Sequence, residues 1–160
     1  MSRVGIGYDI HPFAAGRRMV LCGVEFPGET GLAGHSDADA ALHAVTDALL
    51  GAAGLGDIGE HFPPSDERWR DADSGDLLRA VVAQLRPRFT IGNVDLTIVG
   101  ERPKVGPRRQ EMRERLAELL EIAPDRVNVK ATTNEQLGAL GRGEGLAALA
   151  VALLAEREQG

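Results

Sequence analysis

The sequence predicts one domain of the α/β or α+β class, a single β-sheet with helices on a face. Three observations predict it. Apolar residues alternate with small or polar ones at the N-terminus, the two-residue period of a strand. Strand-like and helix-like segments then alternate along the chain, with no internal repeat, low-complexity tract or linker. A length of 160 residues suits one domain, 1–160, whose core needs neither disulfides nor a structural metal.

In the first strand Val4, Ile6, Tyr8 and Ile10 alternate with Gly5, Gly7, Asp9 and His11. A second strand is predicted over Met19–Phe26, ending at the turn signal Pro27-Gly28. Asp37–Leu50 reads as a helix, with Ser36 as N-cap and an apolar stripe of Ala38, Ala41, Leu42, Val45 and Leu49. Residues 51–71 are rich in Gly, Pro and Asp and read as a long irregular loop, which in a compact domain is functional or mobile. A helix follows over Ser74–Leu85 and stops before Pro87. Thr90–Val99 alternates as a strand, Pro107–Leu120 is helical with Pro in its first turn, and Val127–Thr132 is a strand. The last element, Gly145–Glu156, is ambiguous. Its Ala and Leu favour a helix, yet a short apolar run is equally a buried strand.

Composition excludes several functions. A net charge of −6 speaks against nucleic-acid binding, which needs a basic footprint. A phosphorylated ligand is still permitted, because local donors and metals hold anions. No apolar run is long enough to span a membrane, and Met-Ser-Arg-Val-Gly lacks the apolar core of a signal peptide. Cys22 is the single cysteine, so no internal disulfide forms; a buried thiol and a cytoplasmic location are expected.

Four clusters can carry chemistry. Asp9 and His11, two apart on a strand, project from one face and can converge on one ion. A catalytic zinc site wants a third protein ligand. His43 is the best candidate, lying on the predicted helix off its apolar stripe; the plainer alternative is a surface or capping pair. In the segment Gly34-His35-Ser36-Asp37-Ala38-Asp39, Asp39 shares a helical face with His43 and Asp47, so a carboxylate beside His43 can orient its ring. Ordinary i to i+4 pairs on a capped helix are the alternative. In Lys130-Ala131-Thr132-Thr133-Asn134-Glu135, hydroxyls and backbone N–H groups at a strand end suit phosphate oxygens, and Glu135 suits a hard cation such as Mg2+. Gly141-Arg142-Gly143-Glu144-Gly145 follows without a Walker pattern. Finally, the loop 102–107, with Lys104 and the arginines after it, can receive a nucleotide, or simply form a solvated helix face.

Together, the motifs Gly7-Tyr8-Asp9-Ile10-His11-Pro12-Phe13, Gly34-His35-Ser36-Asp37, Asp47-Ala48-Leu49-Leu50-Gly51, Gly56-Asp57-Ile58-Gly59 and Lys130-Ala131-Thr132-Thr133 through Gly145 resemble the 2-C-methyl-D-erythritol 2,4-cyclodiphosphate synthase family of the non-mevalonate isoprenoid pathway. The resemblance runs nearly end to end. It implies an α+β fold with a mixed four-stranded sheet, helices on one face, and sheets surrounding a three-fold axis. It also implies that the C-terminal segment is a strand. The implied reaction cyclises 4-diphosphocytidyl-2-C-methyl-D-erythritol 2-phosphate and releases CMP. A metal-dependent phosphohydrolase, or an inactive isoprenoid-diphosphate binder on the same scaffold, is the alternative.

By that resemblance Asp9, His11 and His43 hold a tightly bound Zn2+, and Glu135 helps place a Mg2+ or Mn2+ that arrives with substrate. His35 and Thr133 are the catalytic residues. The sugar and phosphates contact Asp9, Ile10, His11, His35, Ser36, Asp57, Ile58 and Gly59, and the loop Phe62, Pro63, Pro64, Ser65, Asp66 closes over them. Gly100, Lys104, Val105 and Gly106, with Ala131, Thr132, Thr133, Asn134 and Glu135, form the cytidine and diphosphate side. Pro64 stands where many members carry an acidic residue. Ala139 and Leu149 depart from a common phenylalanine and glutamate beside Arg142, which puts a central-channel site in question. A homotrimer with sites at subunit boundaries is implied. The run Leu146–Leu154, apolar at almost every position, gives a physical reason for a neighbour to cover one side of the sheet.

Overall fold

The computed structural model describes residues 1–158. The chain begins with β1 (Ser2–Leu21) and β2 (Val24–Leu32), joined through Cys22 and Gly23. The single strand expected over Met19–Phe26 is thus two strand ends and a turn. Both turn residues have positive φ, 54° and 70°, as a two-residue hairpin turn of this hand requires. Leu21 pairs with Val24 across it. A non-glycine residue at Cys22 is held there by a buried carboxylate. Asp39 Oδ1 accepts the Cys22 N–H at 3.0 Å and Oδ2 the Gly23 N–H at 2.7 Å.

The same Asp39 starts α1 (Ala40–Ala53) by accepting the Leu42 N–H at 3.0 Å. It replaces Ser36 as N-cap, and the helix begins later than predicted; the Ser36 hydroxyl accepts the Ala38 N–H instead. Asp39 has no exposed surface. Burial pushes its carboxyl up to about 7, against the pull of the N–H donors. Residues 51–71 are less irregular than expected: they contain the end of α1, the short α2 (Ile58–His61) and a 3-10 turn, Glu67–Trp69. Next come α3 (Ser74–Leu85), β3 (Phe89–Val99), α4 (Arg109–Leu120), β4 (Val127–Thr132), α5 (Gly138–Gly141) and β5 (Gly145–Glu156). The C-terminal run is therefore a strand. Pairing on both sides, with β1 and β3, outweighs its helical propensity.

Among the described residues the sheet has five strands, not four, in the order β2-β1-β5-β3-β4. It is mixed, since β3 and β4 run parallel and the other neighbours antiparallel. The extra strand arises because β1 is long. Its first part, to Pro12, pairs with β5, and its continuation from Phe13 pairs with β2.

Which side of β1 faces the core is decided by its glycines. A Cβ on Gly5 would lie 2.0 Å from the Ala48 carbonyl oxygen, and one on Gly7 1.8 Å from that of Ala44. Helix α1 therefore lies directly on this face, its Leu42, Leu49 and Leu50 fully buried, each worth roughly 2 kcal/mol of removed apolar surface. Val4, Ile6, Tyr8 and Ile10 point the other way and stay 47–67% exposed. In β5, Leu146, Ala148, Ala150, Ala152 and Leu154 are buried, while Val151 joins the exposed apolar strip at 43%.

Candidate metal and phosphate site

Asp9 and His11 share the face of Gly5 and Gly7, and so emerge beneath α1, where His43 meets them. Asp9 Oδ2 is 2.8 Å from His11 Nε2 and 3.2 Å from His43 Nδ1. The imidazoles are edge to face, centroids 5.7 Å apart. His11 Nδ1 donates to the Ala33 carbonyl oxygen at 2.7 Å. A carbonyl only accepts, so in a neutral ring Nε2 keeps its lone pair toward Asp9 and His43. That nitrogen is buried and not aligned for a hydrogen bond, despite its closeness to Asp9. Gly34 makes room for this ring: a Cβ there would sit 3.2 Å from His11 Cε1.

Burial raises the Asp9 carboxyl, but the two imidazoles beside it, 2.8 and 3.2 Å away, outweigh burial and hold the group at about 2. Burial likewise lowers His43, and again loses: Asp9, chiefly, raises it. Ligand atoms of the three side chains lie within 4.8 Å of one another. Two imidazole nitrogens, one of them the buried His11 Nε2 without a hydrogen-bond partner among the described residues, and one carboxylate oxygen make a donor set that fits a divalent metal ion.

Sequence reasoning missed what stands behind His43. Its Nε2 lies 2.8 Å from Ser74 Oγ and 3.1 Å from Ser36 Oγ. Ser74 in turn donates both its hydroxyl and its N–H to Asp37. No local signal marks this, because Ser74 and His43 sit on different helices. The expectation that Asp39 flanks His43 is corrected: Asp39 turns into the hairpin. Asp47 instead accepts the Ile58 N–H at 2.8 Å and so positions the Asp57–Gly59 turn.

Other predicted residues fall into two groups. Near the metal cluster, His35 is half-buried with Nε2 lacking a hydrogen-bond partner among the described residues. Its loop is tied to the segment after the 3-10 turn, since Asp71 N–H donates to the His35 carbonyl and Asp37 N–H to that of Ala72. Asp57 caps α2. Phe62 is part-buried against Trp69, while Pro64 and Ser65 are exposed next to Pro63, and Asp66 is paired with Arg68. Ile10 lies on the opposite, outer face of the sheet.

The second group sits across the sheet. His11 is level with Leu146, its neighbour Ala147 with Val99, and Val99 with Thr132. Three strand spacings of about 4.8 Å separate β1 from β4, roughly 14 Å. Thr133 and Glu135 therefore do not join the Asp9–His11–His43 cluster of their own chain. The Thr133 hydroxyl accepts the Glu135 N–H at 3.2 Å. Gly100 N–H donates to the Thr132 carbonyl, and Gln136 N–H to Glu101, so the loops after β3 and β4 form one surface. On it Lys104, Gly106, Ala131 and Thr132 are exposed, Asn134 is partly so, and the Val105 side chain is buried. Arg142 is exposed and paired with Glu144.

Residues 2–155 match the YgbB family. A 2-C-methyl-D-erythritol 2,4-cyclodiphosphate synthase of Symbiobacterium thermophilum is 59% identical over 155 residues, 96% of this chain and 99% of that protein. Among solved structures, the bifunctional IspDF of Campylobacter jejuni superposes with a TM-score of 0.95 at 40% identity, over 99% of this chain and 43% of that one. The CDP complex of IspF from Plasmodium falciparum gives 0.86 at 30% identity, covering 98% of this chain and 97% of that one.

Proposed function

The chain belongs to the YgbB family, and from that premise we propose how its residues carry out the reaction. It converts 4-diphosphocytidyl-2-C-methyl-D-erythritol 2-phosphate to the cyclic 2,4-diphosphate. An oxygen of the 2-phosphate attacks the β-phosphorus, the bond to the α-phosphate oxygen breaks, and CMP leaves. Both reacting groups belong to one substrate, so the protein supplies no nucleophile; it folds the substrate and balances charge. The convergence of Asp9, His11 and His43 carries this reading.

A zinc ion held by Asp9, His11 and His43, and Mg2+ or Mn2+ beside Glu135, would polarise the phosphate oxygens and neutralise charge moving to the leaving CMP. Asp57, Ile58 and Gly59 hold the sugar hydroxyls, and Phe62–Asp66 covers them. His35, whose Nε2 has no partner among the described residues, donates to a phosphoryl oxygen. Thr133 does the same from the opposite side, and Gly100–Gly106 with Ala131–Thr133 binds cytidine. Those groups lie roughly 14 Å across the sheet from Asp9, too far to serve the same small substrate easily within one chain. A homotrimer resolves this, each site combining the metal side of one subunit with the cytidine side of its neighbour. The exposed strip of Val4, Ile6, Tyr8, Ile10 and Val151 supports such packing, because soluble monomers rarely leave so contiguous an apolar face open. A cytoplasmic location accords with the buried, unpaired thiol of Cys22.

The test is incubation with the diphosphocytidyl substrate, Zn2+ and Mg2+. CMP and the cyclic diphosphate are expected in equal amounts; inorganic phosphate in their place would make the chain a phosphohydrolase.

A further inference from the structure

We propose that Ser74, oriented by Asp37, is a positioning residue that fixes which nitrogen of His43 faces the metal cluster. The inference rests on the metal reading above and deepens it. His43 presents Nδ1 to Asp9 at 3.2 Å and Nε2 to Ser74 Oγ at 2.8 Å. A serine hydroxyl can donate once and accept on its lone pairs, so what it does toward His43 depends on where its proton goes. Here the proton is committed: Ser74 Oγ donates to Asp37 Oδ1, while Asp37 Oδ2 accepts the Ser74 N–H at 3.0 Å. The oxygen is left as an acceptor, which requires the hydrogen of His43 to sit on Nε2. Nδ1 of the neutral ring then offers its lone pair to the metal.

The arrangement repeats on His11, where the Ala33 carbonyl oxygen plays the acceptor. Both rings are thereby held in tautomers whose free nitrogens face Asp9. His11 obtains its acceptor from backbone, which no side-chain substitution removes. His43 depends on Ser74.

Helix formation does not explain this serine. Asp73, not Ser74, caps α3, accepting the Gly75 N–H at 2.7 Å. Ser74 lies inside the first turn and is 1% exposed, where a hydroxyl gains nothing unless it is bonded. Ser36 Oγ stands 0.3 Å farther from the same nitrogen, and because it accepts the Ala38 N–H its own proton is not committed, so it does not fix the tautomer as Ser74 does. Ser74 also follows directly on the segment hydrogen-bonded to the His35 loop, which links the ligand's orientation to that loop's position.

The experiment compares Ser74→Thr with Ser74→Val, which are alike in shape and differ in the hydroxyl. Zinc affinity is measured by chelator competition, and histidine-labelled protein is followed by 15N NMR in its zinc-loaded state. Ser74→Val is expected to bind zinc about 10- to 100-fold more weakly than Ser74→Thr, and to lose the hydrogen-bonded Nε2–H signal of His43 that Ser74→Thr keeps. A second variant, Asp37→Asn, frees the Ser74 proton to turn toward Nε2 and should weaken zinc similarly; because Asp37 also accepts the Asp39 N–H, its zinc affinity is compared at a temperature where urea melts show it fully folded. Equal zinc affinity in the Thr and Val variants overturns the proposal, as does an Nε2–H signal retained in the Val variant. Failure of the unsubstituted protein itself to bind zinc would instead overturn the metal reading.

Discussion

Gly7→Ala tests the link from packing to the metal site. A Cβ at this position would stand 1.8 Å from the Ala44 carbonyl oxygen, with the Ala44 carbonyl carbon and the Ala48 nitrogen both at 2.8 Å. All three are backbone atoms of α1, so no side chain can rotate aside. Restoring ordinary contact near 3.5 Å moves the helix outward by roughly 1.5 Å. Overpacking of this kind costs about 1–3 kcal/mol, and a backbone clash puts it at the upper end. The loss of glycine's freedom in the unfolded chain returns about 0.5 kcal/mol. The net expectation is about 2 kcal/mol, or roughly 4–8 °C in melting temperature for a domain of this size. The same shift draws His43 off Asp9 by far more than the ~0.2 Å that metal coordination tolerates, so zinc affinity should fall at least tenfold. Urea unfolding at fixed protein concentration and chelator competition measure the two effects. Gly51→Ala is the control, since on the same helix its Cβ meets only the Ile6 carbonyl oxygen at 4.0 Å; it should stabilise by about 0.5 kcal/mol. If Gly7→Ala unfolds with the parent and binds zinc equally well, the account of why β1 carries glycines there is wrong.

Ile6→Lys, on the exposed strip, should give monomers by light scattering and abolish turnover; an unchanged mass would exclude that face as the interface. His43→Ala and Thr133→Ala should each be inactive, yet regain part of the activity when subunits exchange, and no recovery after proven exchange would end the shared-site proposal. Asp9 is lowered from 3.8 to about 2, so in the metal-free protein its contribution of about 2 kcal/mol is present above pH 4. That stability is lost as pH falls through about 2, and an Asp9→Asn variant should lack this part of the acid transition; superimposable acid curves would contradict it. Asp39→Ala leaves the N–H groups of Cys22, Gly23 and Leu42 without their acceptor and should cost about 3–5 kcal/mol, with a loss under 1 kcal/mol in urea melts counting against the clasp.

Spacing alone put Asp9 and His11 on one side of a strand, because side chains alternate whatever the strand pairs with. Pro87 likewise bounded its helix through backbone sterics, whereas Pro107 falls in a 3-10 turn, Gly106–Arg108, just ahead of α4. The last strand needed the family resemblance, since Ala and Leu residues read locally as helix; its identity comes from partners distant in the chain, β1 and β3. The side of β1 that enters the core was hidden for a related reason. Periodicity reports that two faces differ, and the apolar one is ordinarily taken as the inner face. Here the glycine face is inside because a helix backbone lies against it, while the apolar face stays open. The turn at Cys22 depends on a carboxylate 17 residues away, and Ser74 reaches His43 across 31. Such contacts arise only when packing brings separate elements together, and no local pattern of side chains encodes them. The residues of the candidate metal cluster, Asp9, His11 and His43, were therefore legible in the sequence. What holds them in register became visible only in the folded chain.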